Sequence, residues 1–312
     1  MDLRVIHETR FEYTPPVKTA QHMAYLKPLD TAAQKLVSHK LDVHPAPADF
    51  SETQDVFGNT RSFFSLQVEH DELAVIATSA VSTSAVTAPC STLPWEQVRD
   101  RFHYRAGAPY DAAAGFVFAS PLVPRHDDFT AYARPSFGPG VPLLAAARDL
   151  MARIHGEFRY EPESTEVGTP VLEALAQRAG VCQDFAHIMV GCLRAMGLPA
   201  RYVSGYLLTQ PPPGQPRLVG SDASHAWVSL YLPDLLPDLP ELSGGPLWCD
   251  FDPTNDRLGA GTPGEDYVTL ALGRDYGDVA PLRGVIHGGA DHTLEVRVTV
   301  EPIDLPFPED SP

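Results

Sequence analysis

Cationic residues are scarce in this chain: 23 Lys and Arg stand against 40 Asp and Glu, a formal net charge of -17. The acidic residues are spread along the chain, so no basic face is left for nucleic acid or an anionic membrane. Solubility accounts for the acidity. Cysteine is scarce too, with four in 312 residues. Cys90, Cys182, Cys192 and Cys249 make no C-x-x-C pair, which excludes a zinc ribbon and a thioredoxin-type redox pair. Four thiols in so long a chain are no disulfide scaffold. No stretch approaches the roughly 18 apolar residues that a membrane span needs. Met1 to Val17 carries charges throughout, with no apolar core and no small-residue cleavage site, so it does not read as a secretory signal. A reduced, cytoplasmic setting is the expectation. Internal repeats and low-complexity tracts are also missing.

What is there is an ordinary globular composition, 44% hydrophobic and 20% charged, in a chain long enough to bury a core without staples. Residues 1 to about 88 read as strands. Leu3, Val5 and His7 alternate with Arg4, Ile6 and Glu8, and Asp55-Val-Phe-Gly-Asn59 supplies turn chemistry. That period of two predicts an antiparallel β module. Prolines punctuate 89–140, with a short helix expected from Pro94 to Tyr104; this stretch reads as a connector. From Val141 the period becomes helical, with Ala147, Leu150, Met151 and Ile154 in phase. Thr169-Pro170 opens a helix that Gly180 is expected to end. The next helix runs from Cys182 to about Met196. Strands are expected over Ala200–Leu208, His225–Leu232, Leu247–Phe251 and Leu294–Val300. The division is therefore an N-terminal β-rich domain (1–88), a connector (89–140), an α+β domain (141–302) and a tail (303–312).

Three residues in that α+β domain have the types and settings for chemistry. Cys182 opens a helix, where unpaired amides and the helix dipole stabilise a thiolate. Position alone leaves it open between a nucleophile and a structural thiol. His225 opens a strand, so it can project from the sheet as a general base while its backbone is held. Asp252 ends the next strand-like run and can orient the imidazole from one strand away. Asp250 has the same alternation phase and is a rival. Cys90, Cys192 and Cys249 read as structural.

Four blocks surround these residues: Gly180-Val-Cys-Gln-Asp-Phe-Ala-His187, Leu198-Pro-Ala-Arg-Tyr-Val-Ser-Gly-Tyr206, Asp222-Ala-Ser-His-Ala-Trp227 and Phe251-Asp-Pro-Thr-Asn255. In order and spacing they resemble the bacterial transglutaminase-like superfamily over roughly residues 140 to 290. Residues 1 to about 88 resemble the β-rich N-terminal region of the same proteins, and Gly273-Arg-Asp-Tyr-Gly-Asp-Val279 resembles the family's C-terminal block. The resemblance implies an α+β fold with a papain-like core behind an N-terminal antiparallel β module. It implies Cys182 as nucleophile, His225 as base, Asp252 as orienting acid, and acyl transfer through a thioester at Cys182. Animal members carry a Trp upstream of the nucleophile that helps hold the oxyanion. Trp95 is too distant to equate with it, which leaves Tyr160 or the Cys182 amide as the donor.

Asp184 is expected to cap the helix or support the nucleophile loop, and His187 to pack on the sheet. Ser204, Tyr206, Asp222 and Trp227 are candidate substrate contacts, although Tyr206 and Trp227 suit the core equally well. Arg274, Asp275 and Tyr276 either approach the cleft or form a surface salt bridge. No acidic loop has calcium-ligand spacing, so hydrolysis of a peptide or Gln/isopeptide amide is expected ahead of crosslinking. A protein or peptide is the expected partner, with no cofactor, metal, nucleic acid or membrane. Two rival readings are a non-catalytic peptide-binding protein and a metal site of Cys182, His187, His225 and Asp252. The metal site is weakened because Cys182 and His187 are five apart on a helix.

Overall fold

The computed structural model describes residues 1–84, 90–107, 110–161, 168–209, 224–233, 248–288 and 291–304. Two antiparallel sheets carry most of it. The first is built around one long strand, β1 (Asp2–Ala24). Its neighbours are β2 (Gln34–His44), β3 (Asp49–Gln54), β4 (Thr60–Leu66) and β5 (His70–Thr83), in the order β2-β5-β1-β4-β3. Alternate residues Leu3, Val5, His7 and Thr9 of β1 are buried while Arg4 is exposed, the side-chain alternation that a half-buried strand requires.

Helices follow: α1 (Trp95–Arg101), α2 (Asp127–Ala133), α3 (Leu143–Glu157), α4 (Val171–Gln177) and α5 (Cys182–Ala195), with the short paired strands β6 (Arg159–Tyr160) and β7 (Ala179–Gly180) between them. The second sheet comprises β8 (Ala200–Leu207), β9 (Ser224–Tyr231), β10 (Trp248–Asp252), β11 (Arg257–Ala260) and β12 (Tyr267–Gly273), in the order β11-β10-β9-β8-β12. A last helical turn is α6 (Tyr276–Val279), and the chain closes with β13 (Leu282–Gly288) and β14 (Asp291–Pro302). None of the described helices is long and apolar enough to cross a membrane.

α5 is apolar nearly all round, with Phe185, Ala186, Ile188, Met189, Val190, Cys192 and Leu193 buried, as a central helix must be. It packs on Ala226, Val228 and Leu230 of β9 within one cluster that also takes in Trp95, Phe129 and Phe137 of the connector. The connector thus supplies part of the wall around α5.

Several sequence expectations change here. β14 was expected in the α+β domain, yet it pairs with β1 from Leu3↔Pro302 to Thr14↔Asp291, and β13 pairs with the second half of β1. The two ends of the chain therefore share one sheet. β11, β12 and β13 were not anticipated. The α4 helix ends at Gln177 with Arg178 in the left-handed region (φ 53°), so Gly180 is not its terminator. Gly180 is glycine for space: a Cβ there would stand 2.6 Å from Asp184 Oδ2.

Two side-chain amides join the sheets. Asn59 Nδ2 donates to the Leu272 carbonyl (2.7 Å) and its Oδ1 accepts from the Leu272 amide (2.8 Å). Gln34 makes the same two-way bond with Thr269 (both 2.8 Å). Each satisfies backbone groups of β12, which is the edge strand of its sheet and, among the described residues, is paired only with β8. Asp55, which accepts from the Phe57 and Asn59 amides, holds the turn that presents Asn59.

Candidate active site

The first turn of α5 presents Cys182, half-buried, at the mouth of a cavity of about 270 Å³. Its approach angle is set one turn later. Asp184, buried, accepts from the Val181 amide through Oδ2 (2.8 Å), which fixes the loop that leads into the helix. As an N1 residue, Cys182 has a backbone amide with no intrahelical acceptor.

His225 lies one strand away at the start of β9, buried and lining the same cavity. Its Nε2 donates to Asp252 Oδ2 at 2.7 Å. Nδ1 is then the ring nitrogen left for the thiol, and the imidazole interacts with Cys182 both by hydrogen bond and by charge. Burial lowers the His225 pKa, but the Asp252 bond, the Cys182 bond and the charges of both outweigh it and raise it to about 10.

Asp252, fully buried, is saturated with donors. Oδ2 accepts from His225, from Tyr267 Oη (2.7 Å) and from Asn255 Nδ2 (2.7 Å), and Oδ1 from the amides of Thr254 (2.9 Å) and Asn255 (3.3 Å). Burial pushes the carboxyl up. The bond and charge of His225, with the Asn255 and Tyr267 bonds, hold it below its usual range all the same. Asp250, the rival, has another task. It accepts from Trp227 Nε1 (3.0 Å) and faces the half-buried Arg201, which stacks on Trp248 at 4.0 Å.

A thiol on a helix start and an imidazole on one strand meet at one cavity, and a carboxylate buried on the next strand backs the imidazole. The description "Transglutaminase-like superfamily" matches residues 130–253, and "Bacterial transglutaminase-like N-terminal region" matches residues 3–82. An uncharacterized protein of Mycobacterium tuberculosis is 39% identical over 307 residues, 96% of this chain and 93% of that protein. The chain belongs to the transglutaminase-like superfamily. An uncharacterized Mycobacterium leprae protein is 31% identical over 306 residues, covering 96% and 98% of the two chains. A protein-glutamine gamma-glutamyltransferase of Pseudomonas aeruginosa is 33% identical over 98 residues, 29% of this chain and 15% of that one. The crystal structure of a candidate cysteine protease from Cytophaga hutchinsonii superposes with a TM-score of 0.71 at 20% identity, covering 99% of this chain and 92% of that one. The α+β, transglutaminase-like fold class expected from the sequence is the one observed.

The remaining expectations for this transglutaminase-like site divide. Ser204 lines the cavity. Tyr206 and Trp227 do not. Both are fully buried; Tyr206 bonds His7 at 3.1 Å, and Trp227 lies against Tyr267 and Val203. They lie on opposite faces of the second sheet: Tyr206 packs into the core of the first sheet, and Trp227 into a separate cluster with Val203 and Tyr267. Gly205 makes room for Trp227: a Cβ there would stand 2.5 Å from its ring. Asp222 lies outside the described residues. Tyr160 is 53% exposed and outside the cavity lining, although burial and the charge of Cys182 both raise its phenol pKa. His187 packs on Tyr202 (4.8 Å), and its Nε2 accepts from the Tyr276 amide (3.1 Å). That bond occupies one member of the metal set weighed above.

Arg274 pairs with Asp278 (2.8 Å), Asp275 caps α6, and Tyr276 reaches the cavity wall. Tyr202 and Gln183 line the cavity without having been singled out, and Asn255 and Tyr267 hold Asp252. Asn255 was visible within its block. Nothing in local spacing pointed to Tyr267, which reaches Asp252 from the far edge strand.

The buried histidines give folding stability a two-sided pH dependence. Burial holds His7, His22 and His187 down at about 4. The unfolded chain takes up their protons first, so stability is lost as pH falls from about 6.5 towards 4. His225 is raised to about 10, so its contribution is complete below about 6.5 and is lost as pH rises towards 10. Urea midpoints should peak near pH 6.5, and His225→Gln should flatten the alkaline limb alone. An alkaline limb unchanged in that variant would contradict the His225 assignment.

Proposed function

We propose that this transglutaminase-like protein is a cysteine-dependent acyl-transfer enzyme that cleaves amide bonds of a peptide or Gln/isopeptide substrate through a thioester at Cys182. The observation that carries the reading is the 2.7 Å bond from His225 Nε2 to the buried Asp252, which leaves Nδ1 for the thiol. His225 takes the proton from Cys182 Sγ, and the sulfur attacks the carbonyl carbon. The amide of Cys182 at the start of α5 receives the developing oxyanion. The imidazolium then gives its proton to the leaving amine, the C–N bond breaks and the thioester forms. Water, deprotonated by the same imidazole, attacks the thioester, releases the acid and restores the thiol. Asp252 holds the ring throughout and stabilises its charged form.

We favour water over an amine as acceptor. Among the described cavity residues no carboxylate stands ready to receive an incoming ammonium. The substrate is proposed to be a protein or peptide, and the setting cytoplasmic.

The test is the pH dependence of iodoacetamide alkylation, with the labelled site mapped by mass spectrometry. Cys182 should label fast already near pH 6.5, where a free thiol of pKa about 8.5 is about 99% protonated, and His225→Ala should abolish this. The exposed Cys90 serves as internal reference. Labelling of Cys182 no faster than that of Cys90 would sink the proposal.

A further inference from the structure

The cavity around Cys182 is closed in part by the sheet at the two chain ends. His7, Thr9 and Phe11 of β1 line it together with Leu294 and Val296 of β14. Thr9 pairs directly with Val296, and Phe11 with Leu294, so these side chains stand side by side on one face. The same face passes from core to opening. Leu3 and Val5 are buried in the hydrophobic cluster, His7 and Thr9 are buried at the cavity, and Phe11 is half-buried. Leu294 and Val296 are 56% and 47% exposed. Exposed aliphatic side chains beside a reactive thiol are apolar surface without a cover.

One polar atom in this wall has a defined orientation. Tyr206 Oη is 3.1 Å from His7 Nδ1, and His7 Nε2 is 3.1 Å from Thr9 Oγ1. Burial lowers the His7 pKa to about 4, so the ring is neutral and one nitrogen carries the proton. Tyr206 is fully buried, and among the described residues its hydroxyl has no second partner. Its proton must therefore go to Nδ1, since a buried unpaired donor is costly. Nε2–H then donates to Thr9 Oγ1. The Thr9 hydroxyl, its acceptor side used, retains a proton to donate into the cavity. Among the described lining residues there is no Asp, Glu, Lys or Arg.

We propose that this face of β1 and β14 is the substrate-selecting wall of the cleft. It seats a neutral, aliphatic or aromatic side chain on Phe11, Leu294 and Val296, and Thr9 donates to a carbonyl of the same substrate. The inference rests on Cys182 as the reacting atom. The preferred substrate is an amide whose acyl part carries an apolar side chain next to the reacting carbonyl. A charged side chain there would lose its water and find no partner. Tyr206 acts through His7 as a positioning residue.

The test uses the full chain and three probes: iodoacetamide and the chloromethyl ketones of acetyl-leucine and acetyl-lysine, which carry the side chain on the acyl side of the carbonyl. Each is scored by the rate of Cys182 alkylation. The leucine probe should react about tenfold faster than the lysine probe, a discrimination of one desolvated charge. Leu294→Asp and Val296→Asp should erase that preference. Thr9→Val should slow the leucine probe by about 3- to 10-fold, one neutral hydrogen bond, and Thr9→Ser should restore it. Each tailed-probe rate is divided by the plain iodoacetamide rate of the same variant, which removes any change in the thiol itself. Equal rates for the two tailed probes in the unmodified protein would overturn the proposal, as would a preference that survives both Asp variants. Slow labelling by plain iodoacetamide with the leucine preference intact would sink the activated thiol and leave the wall standing.

Discussion

Cys182→Ala is expected to lower turnover of a cleavable amide by at least about 10³-fold, since the thioester route is closed and only binding and amide donors remain. The fold should be unaffected, because Cys182 is half-buried and its methylene is kept. The intact protein, quenched during turnover, should carry an extra mass equal to the acyl group on the peptide that contains Cys182. The alanine variant should carry none. Serine at this position should behave like alanine, because a hydroxyl is far less acidic than a thiol and His225 cannot make it an equivalent nucleophile. An alanine variant that turns substrate over at the parent rate would remove Cys182 from the chemistry and leave the cavity as a binding site.

The second large effect is expected at Asp252. Five donors converge on its buried carboxylate. Asp252→Ala should cost about 3–5 kcal/mol of stability, because a charged imidazole is left buried without its partner. Asp252→Asn keeps the shape, but its amide nitrogen adds a donor where Tyr267, Asn255 and His225 already donate. The ring should then turn to the other tautomer, and turnover should drop by about 10³- to 10⁴-fold with the fold retained. Asp250→Asn is the control. Asp250 holds the Trp227 indole and faces Arg201, so this change should lower the urea midpoint and leave the rate of Cys182 alkylation intact. The opposite pattern, with Asp250→Asn silencing the thiol, would exchange the two roles.

The candidate site was legible to the extent that its logic is local. A helix start after Gly-Val, a histidine at a strand start and an aspartate at the next strand end each follow from short-range periodicity and turn chemistry. Alternation also put Asp250 and Asp252 in the same phase, and it could not say which of them meets the imidazole. Tyr206 and Trp227 illustrate the same limit. An aromatic on an alternating strand faces one side or the other, and whether that side is groove or core depends on what lies across it. The Gly180 expectation failed for a related reason. A glycine after a helix suggests a left-handed cap, but Arg178 takes that conformation, and Gly180 yields space to Asp184, which a spacing rule cannot see.

The sequence by itself determined the family, the α+β class, the helix that carries Cys182 and the strands that carry His225 and Asp252. Those features depend on residues a few positions apart, whose propensities act before any long-range contact forms. The tertiary structure alone decided that β13 and β14 return to β1, that Asn59 and Gln34 clamp β12, and that Tyr267 supports Asp252. It alone brought Thr9, Phe11, Leu294 and Val296 to the mouth of the site. These contacts join positions up to nearly 300 residues apart. Their free energy comes from apolar surface and backbone groups that find partners only when both sheets are assembled.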